Sequence, residues 1–202
     1  MRRLLIVILS CFALAACYGG GRKGGGEALA VYDFGPPVAR LADVGGLAGF
    51  ALEVRAPLWF DSLGIGYRLL YADPSRLRDY TRARWAGPPA QLIQQRLTQQ
   101  LPLLPHGQAR ARCVLRVEID EFSQLFSSPN ESRGVLQGRL VVLDRARSKI
   151  DGQELRLEKP APSADSHGAV LALTAAVDAL ASEIVGWERE ARATGRLAGC
   201  AG

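Results

Sequence analysis

Hydrophobic residues recur at every second position in several stretches of the chain and at steps of three and four in others. From Phe50 to Ala56, the residues Phe50, Leu52 and Val54 alternate with Glu53 and Arg55, which predicts a half-buried strand. Tyr67, Leu69 and Tyr71 alternate in the same way. The longest alternation places Cys113, Leu115, Val117 and Ile119 on one face and Arg116, Glu118 and Asp120 on the other. Ser127-Ser128-Pro129-Asn130 then supplies turn residues, and Leu136, Leu140 and Val142 resume a second long strand, so a hairpin is expected. Leu155 and Leu157 suggest a third strand. Upstream, "ALAVYDF" at 28–34 reads as a short first strand stopped by Gly35-Pro36-Pro37.

Three segments carry helical signals. Asp73-Pro74 has the form of a helix start, with Asp73 as cap and Pro74 in the first turn. Leu77 and Tyr80 follow three apart, with Trp85 near the end. Pro88-Pro89 opens a second helix with the stripe Leu92, Ile93, Leu97 and Leu101, ended by Pro102. Its other face is rich in glutamine: Gln91, Gln94, Gln95 and Gln99. A third helix is expected from about Asp165 to Arg189, with Leu173, Val177, Leu180, Ile184 and Trp187 spaced by four and three. The order β-β-β-α-α-β-β-β-α, without an internal repeat, predicts one α/β (or α+β) domain over 28–202, a mixed β-sheet with packed helices.

The N-terminus sets the compartment. Arg2 and Arg3 precede a largely apolar run from Leu4 to Ala16. That is shorter than the roughly 20 residues a membrane-spanning helix needs, and it fits a signal-peptide core. The run ends in Leu14-Ala15-Ala16-Cys17, which resembles the bacterial lipobox. The resemblance implies a signal peptide at 1–16 and a lipidated Cys17 as the mature N-terminus. Residues 17–27 then form a tether, because six glycines between 19 and 26 support neither helix nor strand. Ten such residues reach roughly 17 Å root-mean-square. Tyr18 stands where an aspartate favours inner-membrane retention in enterobacterial lipoproteins, so the resemblance implies the outer membrane, with the domain facing the periplasm.

Without the leader the chain carries 23 Lys and Arg against 20 Asp and Glu. This mild excess could orient the domain at an anionic membrane and does not point to nucleic acid. Cys113 and Cys200 remain once Cys11 leaves with the leader and Cys17 is lipidated. In an oxidising compartment they are either two free thiols or a bond, and a bond would pin the C-terminal tail to the core. Their spacing does not suggest zinc, and no metal or cofactor is expected.

Catalytic constellations are not found in the sequence. His106 and His167 fall in expected loops without metal-spaced partners, and no nucleophile elbow, phosphate loop or dinucleotide fingerprint occurs. Asp120 and Glu121 are adjacent on a strand and so would point to opposite faces. A non-catalytic binding or assembly part is expected.

The segment "YRLLYADPSRLRDYTRARWAGPP", then "QLIQQRLTQQL" and "CVLRVEIDEFSQLFSSPNESRGVL", is similar to the ABC-type transport auxiliary lipoprotein family, the PqiC-like lipoproteins. Arg84-Trp85, Pro88-Pro89 and Asp120-Glu121-Phe122 fall at the positions of that family's recurring pattern, and the likeness covers about residues 30 to 190. The glycine tether and the "AGCAG" tail depart from it. The resemblance implies partners: an ABC permease and ATPase with an MCE-type protein that carries lipid between the membranes. The lipoprotein would be the outer-membrane docking piece, and a homo-oligomer is compatible with that role. Tyr80, Arg84, Trp85, Pro88 and Pro89 are candidate partner contacts, with core packing of Trp85 and Tyr80 as the other reading. Asp120 and Glu121 are likewise either contacts or a solvated strand end. The rival reading from another class is a stand-alone structural envelope lipoprotein that binds the wall or assembles other complexes.

Overall fold

A computed structural model describes residues 28–36, 39–41, 45–105, 107 and 110–200 of the chain. The leader, Cys17, the tether through residue 27 and His106 lie outside the described residues. In chain order the elements are β1 (Ala30–Tyr32), β2 (Phe50–Arg55), β3 (Gly64–Leu69), β4 (Asp73–Trp85), α1 (Pro89–Gln100), β5 (Cys113–Ser128), β6 (Glu131–Leu143), β7 (Lys149–Pro160) and α2 (Ser166–Ala193). Short 3-10 turns cover Gly45–Gly49, Leu58–Asp61 and Ala198–Cys200. This is a mixed α/β single domain.

The sheet runs β1-β4-β3-β5-β6-β7, and β2 also pairs with β5. β5, β6 and β7 are long antiparallel neighbours. On the other side, β5 carries two shorter strands in tandem, both parallel to it. β2 pairs with Cys113–Glu118, and β3 pairs further along with Gln124–Phe126. The two helices occupy one face. α2 lies over β5, β6 and β7, while α1 packs on β2 and against α2. Leu115, Val117, Leu136 and Leu140 of the sheet meet Leu173, Val177, Leu180 and Ile184 of α2 and Ile93 and Leu97 of α1 in one core. α2 sits so close that a Cβ at Gly134 would come 2.8 Å from the backbone of Ala172 and Leu173. α2 is long and apolar enough to cross a membrane, but its apolar side is taken up by this core.

The segment expected as a helix from Asp73 is instead the strand β4, which folds back on β3 with Tyr67 opposite Arg78 and Leu69 opposite Asp73. Asp73 does not cap a helix; its carboxylate accepts a hydrogen bond from the Ser75 hydroxyl at the hairpin tip. Two register shifts in the β3–β4 pairing break the period of two. Leu77 and Tyr80, three apart in sequence, therefore imitate a helical spacing on an irregular strand. Pro74 is tolerated because the short β1 pairs only with Ala83–Trp85, so the outer edge of β4 near its start needs no ladder donor. The other two helices form over the expected ranges. Asp165 caps α2 by accepting from the Gly168 N–H at 2.8 Å. At the C-terminus a disulfide joins Cys200 to Cys113, the first residue of β5, with Cα atoms 5.7 Å apart.

Candidate functional site

The candidate contact residues separate by burial. Trp85 ends β4 and is only 1% exposed. Its indole meets Phe34 edge-on at 5.4 Å and Phe122 at 5.9 Å. Trp85 is therefore core and offers no surface to a partner, which corrects its candidacy as a contact. Pro89 is buried at the first turn of α1, Pro88 caps that helix half-buried, and Arg84 is exposed. Tyr80 is half-buried: its ring stacks on Tyr67 at 4.7 Å and its hydroxyl donates to Gln124 Oε1 at 2.6 Å. Burial first, and then the nearby Tyr67 and Asp165, push the Tyr80 phenol above its ordinary range. The amide of the fully buried Gln124 donates onward to the Ser132 hydroxyl at 2.8 Å, so the Tyr80 hydroxyl belongs to an internal network.

Asp120 and Glu121 sit at a β-bulge, where the pairing shifts between Ile119 and Glu121. Asp120 is the extra residue and is exposed. Glu121 turns toward β3 and accepts from Arg68 Nε at 2.9 Å. The extra residue shifts the alternation by one, so that Cys113-Leu115-Val117-Ile119 before it and Phe122-Gln124-Phe126 after it lie on the same buried side of β5. The two carboxylates do not converge on a common point.

The face of the sheet away from the helices carries cross-strand charge pairs. Glu53, 8% exposed, is held by Arg55 at 2.6 Å, Arg116 at 3.0 Å and Arg147 at 3.3 Å. Burial alone would raise its carboxyl pKa, but the hydrogen bonds from Arg55 and Arg116 and the charges of Arg116 and Arg147 outweigh it and hold the carboxyl below the ordinary glutamate range. Glu118 accepts from Arg139 at 2.6 Å, and Glu158 forms ion pairs with Arg133 and Arg156, both at 2.7 Å. The charges of this face thus neutralise one another along the strands.

On the helix side, Arg96 is 4% exposed and bridges α1 to α2. It donates to both Asp178 oxygens, at 2.8 and 3.1 Å, and to the Pro36 carbonyl at 2.7 Å. A groove of about 520 Å³ runs along the glutamine face of α1, between Gln91, Gln94, Gln95 and Gln99 and the residues Arg40 and Val54. Among the described residues no cluster of three or more His, Cys, Asp or Glu side chains could hold a metal ion.

The most exposed apolar feature lies where sequence reasoning proposed nothing. In the 3-10 turn Leu58–Asp61, Leu58 is 84% and Trp59 67% exposed, while Phe60 packs against the core. The run "PLWF" between two alternating strands fits no period, so the sequence alone does not say which of its apolar residues are exposed. Leu29 and Val31, at the start of the edge strand β1, are also exposed, and Val31 stands in register beside exposed Arg84.

Comparison with known proteins places this geometry. The family model of the ABC-type transport auxiliary lipoprotein component matches residues 51–185, and the chain belongs to that family. Similar folds occur in protein XCC0632 from Xanthomonas campestris, a DUF330 protein, and in a second crystal structure described as an uncharacterized protein. The first has a TM-score of 0.65 at 17% identity, over 78% of this chain and 93% of that one. The second has a TM-score of 0.61 at 14% identity, over 79% and 97%. At these identities the likeness concerns the fold. No curated protein matches the sequence.

Proposed function

We propose that this protein is a non-catalytic, lipid-anchored auxiliary subunit of an ABC transport system, with its domain in the periplasm and its acyl chains, carried by Cys17, in the outer membrane. In this reading it docks the outer-membrane end of an MCE-type assembly that moves lipid across the envelope. The observation that carries the reading is the family match over 51–185, combined with the Leu14-Ala15-Ala16-Cys17 boundary upstream of it. The arrangement of charge supports a contact role over a chemical one: Glu53, Glu118, Glu121, Glu158 and Asp178 are each engaged in ion pairs within the fold. Several acyl chains would hold the protein far more firmly than one, at about 0.8 kcal/mol per buried methylene. The test is cross-linking in membranes followed by affinity purification and mass spectrometry. Recovery of a permease, an ATPase or an MCE-type protein is the expected result. Reproducible recovery of wall or unrelated envelope components alone would favour the stand-alone lipoprotein.

A further inference from the structure

The turn Leu58–Asp61 connects two strands that need little connecting. Arg55 of β2 faces Glu118, and Tyr67 of β3 faces Gln124, so six residues of β5 are matched by twelve of the connecting chain. At about 3.3 Å per residue, a gap near 20 Å is spanned by chain able to extend about 40 Å. The excess must leave the plane of the sheet. Phe60 turns back to the core, and Leu58 and Trp59 are carried outward. Single exposed apolar residues are ordinary, but an adjacent Leu-Trp pair at the tip of a forced protrusion is a concentrated apolar surface.

The tether ends close by. Tyr32 of β1 pairs with Trp85, and the Trp85 N–H donates to the Leu63 carbonyl, so Tyr32 and Leu63 are two strand spacings apart, about 10 Å. Trp59 is four residues before Leu63, which places it within about 25 Å of Tyr32. Cys17 to Ala28 spans at most about 40 Å when extended. The protruding turn is therefore within reach of any surface in which Cys17 is anchored. Leu29, Val31 and exposed Arg84 add apolar and cationic groups at the point where the tether joins the fold.

We infer that Leu58 and Trp59 dip into the phospholipid surface that holds the anchor, as a second and orienting membrane contact. This rests on the lipid-anchor reading above. Tryptophan suits the site because its ring is apolar while its N–H remains satisfied among headgroups. Two small contacts on a rigid domain fix its tilt, which a glycine tether alone cannot do. The charge-paired face of the sheet then keeps a fixed angle to the membrane.

The protein offers its own probe. Of its three tryptophans, Trp85 is 1% and Trp187 3% exposed, so only Trp59 can report on solvent or lipid. The full lipidated protein is reconstituted into phosphatidylethanolamine–phosphatidylglycerol vesicles, floated on a gradient, and read by emission and by quenching with brominated lipid. Expected are flotation, a blue-shifted Trp59 component and its quenching by lipid. In Trp59→Phe that component should vanish while flotation persists, and Leu58→Asp should reduce the quenching. Flotation with a Trp59 that stays open to aqueous iodide overturns the dip and leaves the anchor standing. Protection of Trp59 that appears only at high protein density, or only with a transport partner, assigns the patch to protein contact and overturns it too. Failure to float removes the anchor reading and this inference together.

Discussion

Truncating Trp85 tests whether the aromatic centre of the fold is packed as described. Trp85→Ala removes an indole that is 1% exposed and wedged between Phe34 at 5.4 Å and Phe122 at 5.9 Å. It closes β4 beside both Tyr32 and Leu63, so three chain segments lose a common filler. Buried aromatic-to-alanine changes cost about 3–5 kcal/mol, because the walls relax only partly around the void. The two ring contacts are consistent with the upper part of that range, since each such pair adds about 0.5–1.5 kcal/mol beyond area burial. For a domain of this size the melting temperature should fall by about 10 °C. Urea unfolding should show a lower midpoint with an unchanged slope. Association with a partner, measured well below the melting temperature of the variant, should be unaffected. A loss under about 1 kcal/mol would show that Trp85 is not packed this way. Weakened association at unchanged stability would mean that Trp85 faces a partner after all. Trp59→Ala is the internal control, and its stability should change by no more than about 0.5 kcal/mol.

The remaining predictions concern the supports of the same fold. Cys113→Ala with Cys200→Ala opens a link spanning 87 residues of sequence and should cost about 2–4 kcal/mol, and no free thiol should titrate in unreduced wild-type protein. Asp178→Ala leaves Arg96, 4% exposed, without its carboxylate and should cost about 3 kcal/mol, well above the effect of removing the exposed Arg156. Gly134→Val drives a side chain into the α2 backbone and should cost about 1–3 kcal/mol, read as a drop in the denaturation midpoint. Glu53 has a folded pKa held below the ordinary glutamate value, so its stabilisation is present above that ordinary value and is lost as pH falls through the lowered one. Glu53→Gln should therefore flatten the acid side of the stability–pH curve, and an acid limb as steep as that of wild type would refute the assignment.

What the sequence made legible follows from the range of each signal. The alternation from Cys113 and the four-three spacing in 166–193 are repeated many times within one element, so local averaging recovers β5 and α2. The Asp73-Pro74 signal is a single dipeptide, and its outcome was decided by pairing with Tyr67 and Leu69, which a local reading does not weigh. The bulge at Asp120 belongs to the same class, because a one-residue insertion leaves composition untouched while moving the buried set from odd to even positions. Arg96 sits within the apolar stripe of α1, but its partner Asp178 is 82 residues away, so nothing near it marks it as buried. Among the candidate contacts, Arg84 stays exposed, Trp85 is core, and Tyr80 serves an internal network. An aromatic, arginine-rich composition is common to interfaces and to strand ends, and only burial separates them.

The protruding turn was illegible for a different reason, and that reason bears on what it can do. No residue in "PLWFD" encodes exposure; Phe60 is half-buried against the core and Trp59 is exposed. Exposure there is a consequence of topology, because β2 and β3 share one edge of β5 and run the same way. A polar loop would satisfy that geometry at no cost in exposed apolar area, and this chain places leucine and tryptophan there instead. Held on paired strands at both ends, the turn sends Phe60 to the core and keeps Leu58 and Trp59 outside it. The same rigidity that keeps Leu58 and Trp59 out of the core would let their contact with a lipid surface set the tilt of the whole sheet. A flexible loop of equal composition could bind such a surface but could not orient anything.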